Sequence, residues 1–243
     1  MSMITIIGRG HSGTRAMSHT LSQSGVYMGA NLNKSGDLIP PEDMYEACRI
    51  MAKYVEYKGG LNWDFSRLHT MKIDPLFIKH LELFLDSVIK SDAIHKGWKI
   101  PETTLVYPWI IRLFPDIKYI FWVRDPRDSI LGAHLTDDLE DFGIKYDKSD
   151  NVYVNRSISW LYQRAIVKAV PPPKNKIYVR FEDFVLKQDE VLKHLEDFLG
   201  FNLAKIPVRN DSVGRWRIQG CPVDMSFFKD ELIELNYSTD FSK

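Results

Sequence analysis

The sequence predicts an α/β fold built on a mostly parallel sheet with helices on both faces. The main observation is an alternation. Stretches that read as strands, at residues 3–7, 93–100, 117–123 and 176–181, are separated by stretches of helical periodicity. The second observation is composition. With 44% hydrophobic and 26% charged residues in 243, the chain matches an ordinary globular protein and can bury a large core without disulfide staples. The length suits one large α/β domain spanning residues 1–243.

Each element has its own justification. Residues 3–7 form a β-branched run ending at Gly8, and a helix is expected over about 14–24, stopped by Gly25. Residues 25–45 are rich in turn formers and read as irregular, and a helix resumes over about 44–54. Asp74-Pro75 places a capping carboxylate before a proline at the first helical position, and Phe77, Leu81, Phe84, Leu85 and Val88 continue as an apolar stripe. Residues 93–100 read as a strand closed by Pro101, and 105–114 as a helix with Pro108 in its first turns. Residues 117–123 form a strand, and Asp125-Pro126 opens another helix. The acidic stretch 136–150 reads either as a solvated loop or as a lid beside a substrate. Residues 151–170 have helical spacing and must stop at the triple proline 171–173. A strand at 176–181 and a helix at 191–199, capped by Gly200, complete the regular part.

Several classes are excluded. Lys and Arg together number 32 and so do Asp and Glu, so the chain is not a globally cationic nucleic-acid binder. The two cysteines, Cys48 and Cys221, read as reduced thiols, and there is no cysteine-rich metal module. No apolar run approaches the ~18 residues of a membrane span, and the N-terminal run is too short for a signal-peptide core. The expectation is a soluble cytoplasmic protein without a bound metal.

Ligands on parallel sheets bind at the carboxyl ends of strands. After the first strand stands Gly8-Arg9-Gly10-His11-Ser12-Gly13-Thr14-Arg15, a glycine-framed turn into a helix. Its backbone N–H groups, the hydroxyls of Ser12 and Thr14 and the cation of Arg15 suit a phosphate. Thr14 stands where an ATP-hydrolysing loop needs lysine. After the third strand stands Arg124-Asp125-Pro126-Arg127-Asp128-Ser129, either a phosphate fork or a salt-bridged surface corner pairing Arg124 with Asp128 and Arg127 with Asp125. Lys99 ends the second strand. Near the C-terminus Arg209, Gly214, Arg215, Trp216 and Arg217 form a basic segment with an aromatic. Four separated anion-binding segments on a neutral chain point to a ligand with two phosphate-like groups.

Taken together these segments resemble the sulfotransferases that use 3′-phosphoadenosine-5′-phosphosulfate, especially the compact bacterial type. Gly10-His11-Ser12-Gly13-Thr14-Arg15 is similar to the family's 5′-phosphosulfate loop, and residues 121–128 to its 3′-phosphate motif. Residues 178–184 and 213–217 resemble two further family segments in the same order. The resemblance implies a three-layer α/β/α fold of the P-loop NTPase type. It implies sulfuryl transfer to a hydroxyl or amine of a small-molecule, glycan or peptide acceptor, with adenosine 3′,5′-bisphosphate as product. Arg9 to Arg15, Arg124, Ser129, Arg209 and Gly214 to Arg217 would hold the donor. The chain departs from the pattern at His11, where the family has Lys or Arg. A protonated His11 would serve there, with activity falling at high pH. It departs again at Gly132, where the family has Ser, so that Ser129 is the substitute.

For the base, Asp37, Glu42 and Glu102 are carboxylates in loops able to face the pocket, with Glu42 preferred, and Lys99 matches a strand-end lysine of the bacterial branch. His134 reads as structural. Segments 31–72 and 134–155 are expected to shape the acceptor pocket. Two rival readings stay open: a P-loop phosphotransferase, and a non-catalytic protein that binds adenosine bisphosphate. Oligomeric state is open too.

Overall fold

The computed structural model describes residues 2–239. The chain runs β1 (Ser2–Ile7), α1 (Thr14–Gln23), α2 (Glu42–Ala52), β2 (Glu56–Gly59), β3 (Asn62–Asp64), α3 (Arg67–Thr70), α4 (Pro75–Ile89) and β4 (His95–Trp98). It continues through α5 (Tyr107–Leu113), β5 (Lys118–Val123), α6 (Pro126–Ser129), α7 (Val152–Lys168), β6 (Lys176–Arg180), α8 (Phe181–Leu186), α9 (Gln188–Leu199), α10 (Arg215–Gln219) and α11 (Lys229–Glu234). Four strands form one parallel sheet in the order β4-β1-β5-β6. All four are the strands expected from the sequence.

The two faces of the sheet separate by residue parity, as a pleat requires. On β5, Tyr119 and Phe121 enter a core with α2, α4, α5 and α7, whereas Ile120 and Trp122 enter a second core with α1, α8 and α9. Helices therefore cover both faces.

Local chemistry sets the boundaries. Asp74 accepts from the Leu76 N–H at 2.8 Å with Pro75 at the first position of α4. Asn151 caps α7 through the Tyr153 N–H at 2.9 Å, and the helix stops at Lys168, short of the prolines. Helix α9 starts at Gln188, earlier than its apolar stripe suggests, and ends at Gly200 with φ 82°.

Two parts differ from expectation. Residues 56–64 form a hairpin, with Gly59 and Gly60 at positive φ in the turn and Tyr57 packed on Trp63. Residues 101–104 make a 3₁₀ turn that was not expected, ahead of α5, which spans Tyr107–Leu113 within the expected 105–114 and carries Pro108 in its first turn. Among the described residues no helix is long and apolar enough to cross a membrane.

Gly97 marks the closest approach inside the sheet. A Cβ there would lie 2.2 Å from the Ile4 carbonyl oxygen. Gly97→Ala is expected to force β4 off β1 and cost about 1–3 kcal/mol, read as a thermal midpoint lowered by roughly 2–10 °C.

Candidate active site

The carboxyl ends of the strands meet at the loop 8–13. Gly13 has φ 87° and His11 φ 57°, so both lie in the left-handed region, at a cost of roughly 1–2 kcal/mol for His11. Neighbours hold the loop in that shape. The Gly8 N–H donates to Thr104 Oγ1 at 3.0 Å, and Trp122 Nε1–H donates to the Ser12 carbonyl at 2.8 Å. Arg9 is buried and faces away from the loop's open side. Its guanidinium donates to the carbonyls of Gly10 and Ser129 at 3.0 and 3.1 Å and pairs with Asp137. Ser12 Oγ donates to the Arg9 carbonyl. Arg9 and Ser12 are therefore struts of the loop, where a direct anion contact was expected.

Helix α1 starts on Gly13, which offers no side chain, and its first turn has no side-chain cap. Those N–H groups belong to a cavity of about 620 Å³ lined by Gly10, His11, Gly13, Thr14 and Arg15. Lys99, Arg124, Arg209 and Arg215 line the same cavity. The Nε atoms of Arg124 and Arg215 are buried without a hydrogen-bond partner. Uncapped helix N–H groups and orphaned guanidinium donors together suit anionic oxygens.

The C-terminal basic segment reaches this cavity through one buried carboxylate. Asp128 is fully buried. Its Oδ2 accepts from the Gly214 N–H at 2.7 Å and its Oδ1 from the Trp216 N–H at 2.9 Å. Arg124 donates to the Ser212 carbonyl and lies 4.4 Å from the Phe181 ring centroid. Trp216 stacks on the Arg127 guanidinium at 4.0 Å, and Arg127 grips Asp125. Gly214, Trp216 and Arg217 thus do not line the cavity. The first two anchor the segment that presents Arg209 and Arg215. Both ion pairs of the surface-corner reading exist, but they are buried parts of that anchor. Ser129 is fully enclosed and lines neither this cavity nor the next.

A second cavity of about 660 Å³ adjoins the first, and Asp37, Pro101 and His134 line both. Asp37 pairs with Lys99, which is 2% exposed; burial pushes the lysine down and Asp37 pulls it back up. Glu102 lies one residue beyond Pro101 and is 1% exposed. Its Oε2 has no hydrogen-bond partner, and burial raises its carboxyl to about 7. Glu42, in contrast, is exposed in the first turn of α2 and lines neither cavity. His134 caps the turn 135–137 by accepting from the Thr136 N–H on Nδ1, which leaves the ring proton on Nε2. Burial holds it neutral, at about 3. Of the aromatics expected around an acceptor, Tyr146 lines the second cavity, while Trp63 and Phe65 pack on Tyr162 in the core.

The two departures at His11 and Gly132 prove to be one contact. A Cβ on Gly132 would lie 2.5 Å from His11 Nδ1. The imidazole fills the space a side chain at 132 would need. Burial, and next Arg9, lower the His11 pKa below the usual histidine value, which keeps the ring neutral at pH 7. The protonated imidazole expected from the sequence is therefore not the form this environment favours. Gly132→Ala is expected to cost about 1–3 kcal/mol in the native background and almost nothing once His11→Ala has vacated the space, as a double-mutant cycle by urea unfolding would measure.

Comparison with known proteins agrees with this geometry. A model of the sulfotransferase family matches residues 4–205. No curated protein matches the chain. Among solved structures, the sulfotransferase domain from the curacin biosynthetic pathway superposes with a TM-score of 0.61 at 14% identity, covering 98% of each chain. The sulfotransferase domain of the Synechococcus PCC 7002 olefin synthase gives 0.59 at 15% identity, over 98% of this chain and 94% of that one. A sulfotransferase from Alicyclobacillus acidocaldarius gives 0.53 at 16% identity, over 97% and 94%. At such identities these structures establish the shared fold, and the family match over most of the length establishes descent: the chain belongs to the sulfotransferase family.

Proposed function

We propose that this protein transfers a sulfuryl group from 3′-phosphoadenosine-5′-phosphosulfate to an acceptor held in the second cavity, releasing adenosine 3′,5′-bisphosphate. The observation that carries the reading is the pair of adjoining cavities: one lined by Gly10, His11, Gly13, Thr14, Arg15 and further arginines, the other by Glu102, whose buried Oε2 has no hydrogen-bond partner. The bound donor supplies the activated sulfuryl group. The chain's own groups do the rest. The first turn of α1 with Thr14 and Arg15 holds the 5′ end, and Arg124, Arg209 and Arg215 hold the 3′-phosphate. Lys99 stabilises the charge that develops as the 5′-phosphate leaves. His11 and His134, both neutral, donate N–H groups without adding charge.

Glu102 is the base. At about 7 its carboxyl is poised between holding and releasing a proton at working pH. Asp37 is committed to Lys99 and positions it. The acceptor stays a small molecule, glycan or peptide in this reading, bearing a hydroxyl or amine. The unpaired thiols of Cys48 and Cys221 support a reducing, cytoplasmic setting.

Three outcomes test this. Adenosine 3′,5′-bisphosphate at a hundred times its dissociation constant should stabilise by ~2.7 kcal/mol, a shift of roughly 5–10 °C for a chain of this size. Magnesium-ATP and 5′-AMP should shift it less, and a shift with magnesium-ATP alone would move the phosphotransferase to the front. Arg124→Ala should weaken bisphosphate binding ~10–100-fold by calorimetry. Turnover should rise with pH through about 7 as Glu102 ionises. Glu102→Gln should lower turnover by ~10²-fold or more, abolish that limb and leave bisphosphate binding intact.

A further inference from the structure

The two adjoining cavities have opposite charge. Arg15, Lys99, Arg124, Arg209 and Arg215 line the first, with Asp37 as its carboxylate. Asp37, Glu102, Asp137, Asp138 and Asp141 line the second, with Arg156 as its cation. Resting on the sulfuryl-transfer reading, we propose that the acceptor is a cation: a small hydroxyl compound carrying an ammonium group, its hydroxyl at Glu102 and its ammonium among Asp138, Asp141 and Tyr146.

The charges already committed narrow the choice. Arg156 is turned onto the chain itself. Its Nη1 donates to the Ile130 and Leu131 carbonyls at 3.0 and 3.4 Å, and its Nε lies 3.6 Å from Asp137. Asp137 also pairs with Arg9, and Asp37 pairs with Lys99. Asp138 shares Lys148 with Glu140 at 3.0 and 2.9 Å, so one ammonium there serves two carboxylates. Arg49 donates to the backbone carbonyl of Asp141, while its ion pair is with Glu46. Glu102 and Asp141 keep carboxyl groups without a cation partner among the described residues.

Among the buried atoms of the second cavity's lining that lack a hydrogen bond, Arg156 Nε is the one cationic donor, and it faces Asp137; the carboxylate oxygens are acceptors. Glu102 Oε2 and Asp138 Oδ1 are buried acceptors without a donor, and the Tyr146 hydroxyl, on a residue 7% exposed, is also without a partner. An ammonium brings three donors and no acceptor. Tyrosine rings favour an organic cation, and two of them respond to the local field. The Tyr45 phenol is pushed up to about 12, by burial first and then by Glu102, Asp37 and Glu42. That of Tyr146 is raised by burial and then by Asp138, Glu140 and Asp141, against the pull of Lys148. A metal ion fits less well: among the described residues no group of three or more His, Cys, Asp or Glu is placed to hold one.

The lining also orients the acceptor. Asp37, Pro101 and His134 belong to both cavities and mark the reacting end. Asp138, Asp141 and Tyr146 belong to the second alone. In the transfer, the acceptor hydroxyl oxygen bonds to sulfur while the bond from sulfur to the 5′-phosphate oxygen breaks. The electron pair leaves with the phosphate, and the hydroxyl proton passes to Glu102.

The test uses hydroxyl compounds matched in shape and differing in charge. The sets are glucosamine, glucose and glucuronate; tyramine, 4-ethylphenol and 3-(4-hydroxyphenyl)propionate; and 5-aminopentanol, pentanol and 5-hydroxypentanoate. Each is assayed with the sulfated donor for bisphosphate release, alongside calorimetry of adenosine 3′,5′-bisphosphate with the full chain. In any set turned over, the amine should exceed its neutral partner in kcat/KM by ~10-fold and the carboxylate by more. Asp138→Asn with Asp141→Asn should erase that order while bisphosphate affinity is kept. Asp141→Asn alone, at an exposed position, should reduce it if the double variant does not fold. A neutral or anionic member equal to its amine, or no amine turned over while the bisphosphate binds, overturns the cationic acceptor and leaves the donor reading standing. Absence of bisphosphate binding overturns both.

Discussion

The site depends on rings lying directly against bare backbone. A Cβ on Gly10 would fall 2.1 Å from the His134 ring, and one on Gly13 would fall 2.4 Å from Phe181. With His11 against Gly132, three glycines admit three rings, and each ring belongs to a different part of the site. His134 lies between the two cavities, Phe181 lies under Arg124, and His11 belongs to the loop itself. Remove one gap and a neighbour must move. Close packing of this kind makes small displacements costly. It fixes the loop from outside, since a turn with two residues at positive φ would not hold its own shape.

Onto that frame the chain places two fields of opposite sign. The Lys99–Asp37 pair stands at their seam, and both partners line the first cavity. Such charges act before any substrate arrives, because the packing has already oriented them. Burial also sets the protonation states. It keeps His11 and His134 neutral, and it lifts Glu102 to where a carboxyl can take a proton near pH 7.

The sheet was legible because β1 and β5 are apolar β-branched or aromatic runs, and β4 is followed by a breaker at Pro101, signals local to the chain. The place of the loop 8–15 and Arg124 at strand ends was legible for a similar reason, from glycines and arginines directly after β-branched or aromatic runs. What failed was orientation. Arg9 and Ser12 sit in the right motif but point into its support: Arg9 turns to Asp137, far away in sequence, and the Ser12 hydroxyl turns back to the Arg9 carbonyl. Trp216 has the composition of a base-stacking residue, yet Arg127 claims its ring. Glu42 and Glu102 could not be ranked from composition, since exposure separates them and exposure is a tertiary property. The hairpin at 56–64 was readable in Gly59-Gly60 flanked by aromatics, a turn signal passed over.

The anchoring of residues 209–217 on Asp128 has a consequence for how the protein is made. This segment lies beyond the part matched by the family model, and it joins the sheet through a carboxylate 86 residues earlier in sequence. Synthesis proceeds from the N-terminus, so a growing chain carries the phosphate loop, β5 and Arg124 well before Arg209 and Arg215 exist. The C-terminal part of the first cavity's lining is therefore synthesised after the loop 8–13 and β5 against which it closes. A chain stopped before residue 209 would hold all four strands of the sheet and yet lack Arg209 and Arg215, two of the five Lys and Arg side chains that line the cavity.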